Sequence, residues 1–112
     1  QGAEWVEGSE AWLGTTWDDT PEERKAVEED FKVAIQLSEM KNVPVHIGEF
    51  GAYSKAGMDS RVRWTRFLSR WFKQQGFSWA YWEWNAGFGI YDPHTNTYKM
   101  ELINALLKDS MP

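Results

Sequence analysis

The sequence predicts an α/β fold in which short parallel strands alternate with longer helices. After an irregular segment over residues 1–19, amphipathic and short apolar segments follow in the order helix, strand, helix, strand, helix. This order is typical of βα units. Two strands alone leave both edges of a parallel sheet open and its faces poorly covered. We therefore expect the 112 residues to be a section of a larger α/β barrel, a fold that takes about 250 residues.

The first helix is marked by its start and its apolar stripe. Thr20 suits the N-cap, Pro21 suits the first helical position, and Glu23 completes a capping box. The helix should end near residues 41–42, before a proline. Its predicted buried stripe consists of Val27, Phe31, Ala34, Ile35 and Ser38.

The later elements follow from apolar runs and glycines. Residues 43–51 predict a short buried strand that runs into a loop, and a second helix should start at Asp59 or Ser60 and end before Gly76. Residues 77–82 are nearly all apolar, which predicts a strand buried on both faces. The remaining predictions are an apolar face of the second helix at Val62, Thr65, Leu68, Trp71 and Phe72, a turn over residues 91–98, and a last helix over residues 100–108 that buries Leu102, Ile103, Leu106 and Leu107.

Composition excludes several classes of function. A net charge of −5 argues against nucleic acid and anionic membranes as partners. There is no Cys, and no apolar run reaches the roughly 20 residues of a membrane span. His46 and His94 lack the neighbours of a metal site, so we expect no metal and no cofactor. The start at Gln1 shows no signal peptide and suggests a processed product or a piece of a longer polypeptide.

Glu49 is the strongest candidate for a catalytic group. It lies between Gly48 and a Phe-Gly pair at the carboxyl end of a predicted strand, where barrels place catalytic side chains. A carboxylate there is costly unless it has partners or a task. The alternative is a structural role, in which Glu49 caps the next helix or pairs with Arg61 or Arg63.

A second candidate lies at the end of the next strand. Aromatic residues make up 16% of the chain, including 8 Trp, and such rings suit both cores and ligand platforms. While the chain stays extended, Trp82 and Trp84 lie on one side, and Tyr81 and Glu83 on the other. An indole at a barrel strand end can stack on the apolar C–H face of a sugar, and Glu83 can bond hydroxyl groups. Core packing is the alternative for the aromatic residues.

Two segments resemble glycoside hydrolase family 5 endoglucanases. The family's nucleophile strand is similar to residues 43–53, VPVHIGEFGAY, and its last barrel strand and following loop are similar to residues 77–84, FSWAYWEW, and 87–92, GFGIYD. Residues 1–5 resemble the loop after the sixth strand, and residues 102–107 the closing helix. The resemblance covers nearly the whole chain.

The resemblance implies the C-terminal portion of a (β/α)8 TIM barrel, with strands seven and eight, their flanking helices and a cleft loop over residues 1–19. Residues 1–112 would be one segment of a single catalytic barrel, and residues 20–112 its βα units. By the same resemblance Glu49 is the catalytic nucleophile and Trp82 the indole under the sugar at the cleavage point. Glu83 would be a substrate-contacting carboxylate and Trp5 a loop aromatic lining the cleft.

The implied function is endo-acting hydrolysis of β-1,4-glucan by a retaining two-carboxylate mechanism. The sequence has no Asn-Glu-Pro string, which in the family carries the acid/base, and Glu83 points away from Trp82 by alternation. An N-terminal fragment of the same barrel is therefore the expected partner, and the chain should be inactive without it. A polymeric substrate implies secretion.

Other functions remain open from the sequence. Mannanase and xyloglucanase specificities are possible within the family. A non-catalytic carbohydrate-binding module is disfavoured by the alternation of helices and strands, because such modules are mostly β-sandwiches. An α/β interaction domain would leave Glu49 and Trp82 without a purpose.

Overall fold

The described part of the chain has the predicted helices and parallel strands in the predicted order, and the predicted turn over residues 91–98 forms a short antiparallel strand pair that was not predicted. A computed structural model describes Glu4 and residues 6–111. The helices are α1 (Pro21–Lys41), α2 (Met58–Gln74) and α3 (Met100–Leu107); the strands are β1 (His46–Phe50), β2 (Ser78–Tyr81), β3 (Tyr91–Asp92) and β4 (Thr97–Tyr98). A 3₁₀ turn, Ser9–Trp12, interrupts the irregular first segment. None of the described helices is long and apolar enough to cross a membrane.

Helix α1 begins with the predicted capping box. The Thr20 hydroxyl accepts from the Glu23 amide at 3.2 Å, and the Glu23 carboxylate accepts from the Thr20 amide at 2.8 Å. Desolvation raises the pKa of Glu23, but hydrogen bonds from the Thr20 and Asp18 amides outweigh it and leave the pKa lowered. The helix ends at Lys41, followed by Asn42 in the left-handed region, as predicted.

The apolar stripe of α1 faces the core but is only half-buried. Val27, Phe31 and Ile35 pack against buried core residues, and no residue of α1 is fully buried. The predicted stripe therefore does face the core, but its residues are half-buried rather than fully buried. Among the described residues, none packs against the side of α1 that faces away from the core.

Strands β1 and β2 form a parallel pair. His46 pairs with Ser78 and Ile47 with Trp79, and the register becomes irregular before Phe50. Strand β1 begins three residues later than predicted, after Pro44, which lacks the amide that a ladder needs.

The strands are covered on one face only. Ile47, Trp79 and Tyr81 pack toward the helices, whereas Ser78 and Ala80 are exposed. The prediction that the second strand is buried on both faces is wrong for the described chain, because no described residue packs on the other face. Strand β1, predicted to be buried, likewise buries Phe50 and exposes His46, Gly48 and Glu49.

Helix α2 joins β2 through a tight C-terminal turn. The helix starts at Met58, one residue before the predicted start. At its end Gly76 adopts φ 73°. The Gly76 amide donates to the Lys73 carbonyl at 3.1 Å and the Phe77 amide to the Phe72 carbonyl at 2.8 Å. This is a Schellman motif with glycine at the left-handed position, as Gly76 predicted.

The core lies between the parallel strands and α2, and it is largely aromatic. The Phe50 ring meets Phe72, Trp79 and Tyr81 edge-to-face at 5.3–5.5 Å between centroids. Helix α3 packs on α2, where the Ser69 hydroxyl donates to the Ala105 carbonyl at 3.1 Å.

One residue of α3 was assigned to the wrong face. Leu107 was predicted to be buried but is largely exposed, and Ala105 is buried with Leu102 and Leu106. At about 100° per residue, Leu107 lies far around the helix from Leu102. Residues 102, 105 and 106 share the face that meets α2.

Candidate active site

Glu49 and Trp82 line the same cavity at the carboxyl ends of the two parallel strands. Glu49 is the fourth residue of β1, and Trp82 directly follows β2. The cavity has a volume of about 650 Å³ and is otherwise lined mostly by apolar side chains, Phe31 and Leu68 among them. Asp30 of α1 is a second carboxylate in the lining, which the sequence analysis did not single out.

The Glu49 carboxylate is exposed and has no structural partner. It makes no hydrogen bond or ion pair with any residue in the described part of the chain. The two arginines that could have paired with it are engaged elsewhere, Arg61 with backbone carbonyls and Arg63 with Trp17 and Asp18. No side chain caps the start of α2. Both structural alternatives for Glu49 are therefore excluded within the described residues.

Trp82 presents its indole at the surface of this site. The side chain is 52% exposed, although its backbone amide is fixed by the Phe50 carbonyl at 2.8 Å. Among the described residues Trp82 does not pack against the core cluster, whereas Trp79 and Tyr81 do. Trp84 does not share the cavity lining; it stacks on Tyr91 with 5.5 Å between ring centroids and an interplanar angle of 14°.

The backbone segments that follow β1 and β2 are in close contact. A Cβ atom at Gly51 would lie 1.9 Å from the Trp82 carbonyl oxygen, so only glycine fits there. Gly48 has open space around it. The Ser54 amide donates to the Gly87 carbonyl at 2.8 Å. The glycine after the Glu49-Phe50 pair therefore permits the approach of protein backbone.

Glu83 organises the loop that follows β2. Its two carboxylate oxygens accept from the backbone amides of Ala86 and Phe88, each at 3.0 Å. Desolvation raises the pKa of Glu83, but these amides outweigh it and leave the pKa below its ordinary value. A carboxyl group that favours its ionised form is a poor proton donor, which agrees with the expectation that Glu83 is not the general acid.

Arg61, considered in the sequence only as a possible partner of Glu49, is a buried cation between two loops of the site. The guanidinium donates to the Ala52 carbonyl at 3.0 Å and to the Phe88 carbonyl at 3.4 Å. Tyr81 donates to the same Phe88 oxygen at 3.1 Å. Burial raises the pKa of Tyr81, and the nearby Arg61 charge partly offsets this. Backbone carbonyls leave no mark in a sequence, so no signal identified these partners.

Two other residues considered in the sequence remain, Trp5 and His46. Trp5 lies outside the described residues. The His46 ring bonds the Ser78 hydroxyl at 2.9 Å across the strand pair, a structural role. Among the described residues, no three His, Cys, Asp or Glu side chains gather as metal ligands.

Within the described residues, Glu49 is an unpaired carboxylate that shares a cavity with an exposed indole, at the carboxyl ends of parallel strands, where βα folds commonly bind their ligands. The chain belongs to glycosyl hydrolase family 5, because the family's Cellulase model matches residues 6–88. This confirms the resemblance.

Relatives support the same assignment. Endoglucanase H of Acetivibrio thermocellus is 35% identical over 102 residues, covering 85% of this chain and 11% of that protein. Endoglucanase C of the same organism is 27% identical over 86 residues, covering 76% of this chain and 25% of that protein.

Solved structures share the fold. Endoglucanase Cel5A of Thermotoga maritima is 47% identical, with a TM-score of 0.86 over 96% of this chain and 34% of that one. A cellulose synthase subunit, CcsZ of Clostridioides difficile, is 31% identical, with a TM-score of 0.84 over 96% and 36% of the two chains. The chain thus spans about a third of these structures and less of the curated relatives.

Proposed function

We propose that the chain is the C-terminal portion of a (β/α)8 barrel and supplies the nucleophile of a retaining endo-β-1,4-glucanase. Strands β1 and β2 would be the seventh and eighth barrel strands. The observation that carries the proposal is the unpaired Glu49 carboxylate, which opens onto the same cavity as the exposed Trp82 indole. Membership of the family and the endoglucanase relatives support the substrate class.

Glu49 acts in the first of two chemical steps. Its ionised carboxylate attacks the anomeric carbon, and the glycosidic oxygen leaves with a proton from a second carboxyl group about 5–5.5 Å away. The product is a glycosyl ester on Glu49. Water, deprotonated by the second group, then hydrolyses the ester with overall retention. The second carboxyl group comes from another part of the barrel.

Trp82 holds the sugar whose bond is cleaved. The exposed indole offers an apolar face next to the nucleophile, and its backbone is anchored to β1. Each carboxylate oxygen of Glu83 accepts one hydrogen bond from a loop amide, and a carboxylate can accept about four hydrogen bonds in total. It can therefore still accept from a substrate hydroxyl. Trp5 would line the cleft from the loop before α1.

The partner is the N-terminal part of the same barrel. Helix α1 exposes Val33, Leu37 and Met40 by 74%, 52% and 77%, and these residues recur at the spacing of one helix face. The exposed Ser78 and Ala80 on β2 point to a face that no described residue covers. A neighbouring barrel helix and the barrel interior would bury both surfaces.

Glucan is the preferred substrate, and mannan is the second candidate. Structures of Thermotoga maritima Cel5A have been solved in complex with cellobiose and with mannotriose, so that protein's site holds both sugars. Cellulose-type polymers are too large to enter a cell, and the proposal therefore includes an extracellular enzyme.

Covalent trapping tests the proposal on the full-length polypeptide that contains these residues. A 2-deoxy-2-fluoro cellobioside with a good leaving group should label Glu49, because the fluorine slows hydrolysis of the ester. Glu83→Gln protein should still be labelled, whereas Glu49→Gln protein should not. A label on another residue would overturn the nucleophile assignment, and glucan binding without turnover would favour the binding-module alternative. Initial rates on glucan and mannan decide the preference.

A further inference from the structure

The loop that follows the candidate nucleophile and the loop that follows Trp82 meet at one buried guanidinium. Arg61, in the first turn of α2, is 3% exposed. Its Nε donates to the carbonyl of Ala52, three residues after Glu49, at 3.0 Å. Its Nη2 donates to the carbonyl of Phe88 at a longer 3.4 Å. The side chain thus spans two segments that are far apart in sequence.

Arg61 is a buried charge without an acidic partner in the part of the chain that the structure describes. Within the described residues, no Asp or Glu forms an ion pair with Arg61. Burying an unpaired charge is costly unless hydrogen bonds satisfy it. Its guanidinium donates to carbonyl oxygens of the two loops that border the site and also bonds the Tyr81 hydroxyl. Because both loops border the site, the contacts of Arg61 join the segment after Glu49 to the segment after Trp82.

Other contacts also hold the two loops in place close to Arg61. Glu83 closes the second loop by accepting from the Phe88 amide, and Tyr81 donates to the Phe88 carbonyl. The Tyr53 and Phe88 rings pack with 5.0 Å between centroids. A displacement of Phe88 would therefore move the turn that begins at Glu83, directly after Trp82.

We infer that Arg61 is a positioning residue, which fixes the loop after Glu49 against the loop after Trp82 and so sets the nucleophile relative to the sugar platform. This inference rests on the proposed function. Arg61 does not line the cavity that Glu49 and Trp82 share, so it acts through the two loops. Misplacement of reacting groups by about 1 Å can cost about a hundredfold in rate.

Arg70 provides a matched control on the same helix. Its guanidinium also donates to backbone carbonyls, those of Leu106 at 2.8 Å and of Asp109. These carbonyls belong to α3 and the segment after it, away from the two loops of the site. Replacing Arg61 or Arg70 by Met removes the same kind of contact, but only the first change reaches the loops.

The experiment compares Arg61→Met, Arg61→Lys and Arg70→Met in the full-length polypeptide. We expect Arg61→Met to lower kcat, and the rate of fluoro-glycoside labelling at Glu49, by about tenfold to a hundredfold with KM nearly unchanged. Arg61→Lys should recover part of this loss, since it keeps the charge and one donor. Arg70→Met should lower the melting temperature to a similar extent while kcat stays within about twofold.

Equal losses of kcat in the two Met variants, or a change in KM alone, would overturn the inference. If Arg61→Met does not fold, the same comparison between Arg61→Lys and Arg70→Lys decides it. Labelling of the unaltered protein at a residue other than Glu49 would refute the proposed function instead, and the two failures are thus separable.

Discussion

Replacing Trp82 by alanine tests whether this indole is a platform for substrate or a contributor to folding stability. Trp82 is 52% exposed and Trp71, on α2, is 4% exposed, so the two residues form a matched pair. Truncation of a buried aromatic residue costs about 3–5 kcal/mol, the loss that we expect for Trp71→Ala. Because half of the Trp82 side chain is already in water, Trp82→Ala should cost about 1.5–2.5 kcal/mol. The hydrogen bond between the Trp82 amide and the Phe50 carbonyl is retained in this variant.

The assays are urea unfolding for stability and calorimetric titration with cellotetraose for affinity, both on the full-length polypeptide. An aromatic anchor of a binding site contributes about 2 kcal/mol, or about thirtyfold in Kd, so Trp82→Ala should weaken binding by that factor. Folded Trp71→Ala protein should bind normally. The reasoning is refuted if Trp82→Ala destabilises the protein as much as Trp71→Ala and leaves Kd unchanged.

Three further predictions concern the nucleophile, the isolated chain and acid sensitivity. Glu49→Gln should lower kcat by about a thousandfold or more at an unchanged melting temperature, with exposed Glu101→Gln as the control; a loss below tenfold contradicts the assignment. Residues 1–112 expressed alone should aggregate or stay molten and inactive, because the strand pair has open edges; a cooperatively melting monomer in gel filtration and thermal denaturation contradicts this. Desolvation opposes the charged form of Glu83, yet the loop amides hold its folded-state pKa down, so its carboxylate stabilises the protein above about pH 4.3 and less as pH falls through the folded-state pKa. Melting temperatures from pH 3 to 6 should show a smaller acid loss for Glu83→Gln than for the unaltered protein, and equal losses would contradict this role.

The sequence predicted best the features that local chemistry determines. Thr20, Pro21 and Glu23 define a helix start through contacts within one turn, and Gly76 defines a helix end through its own backbone conformation. Glu49 became the candidate nucleophile because a carboxylate beside glycine at a strand end has few structural explanations, and its catalytic role stays a prediction. Within the described residues, Glu49 neither pairs with Arg61 or Arg63 nor caps the next helix.

Features that depend on distant or missing neighbours were not predictable in the same way. The apolar run over residues 77–82 indicates burial on both faces, but burial requires a second layer, which the described chain does not supply for Ala80. Arg61 bonds carbonyl oxygens at residues 52 and 88, and every residue type carries a carbonyl. Its role depends on where the chain runs in space and could not be read from residue types.

The turn at Gly76 fixes the number of residues between the end of α2 and Trp82. Because the Phe77 amide is bonded to the last turn of the helix, β2 begins at Ser78 with no slack in the connection. Successive side chains of a strand point to opposite faces, so one inserted residue would exchange the faces of Trp79 and Ala80 and move Trp82 one residue further from the strand end. The length of this connection therefore determines which side chains of β2 face the core.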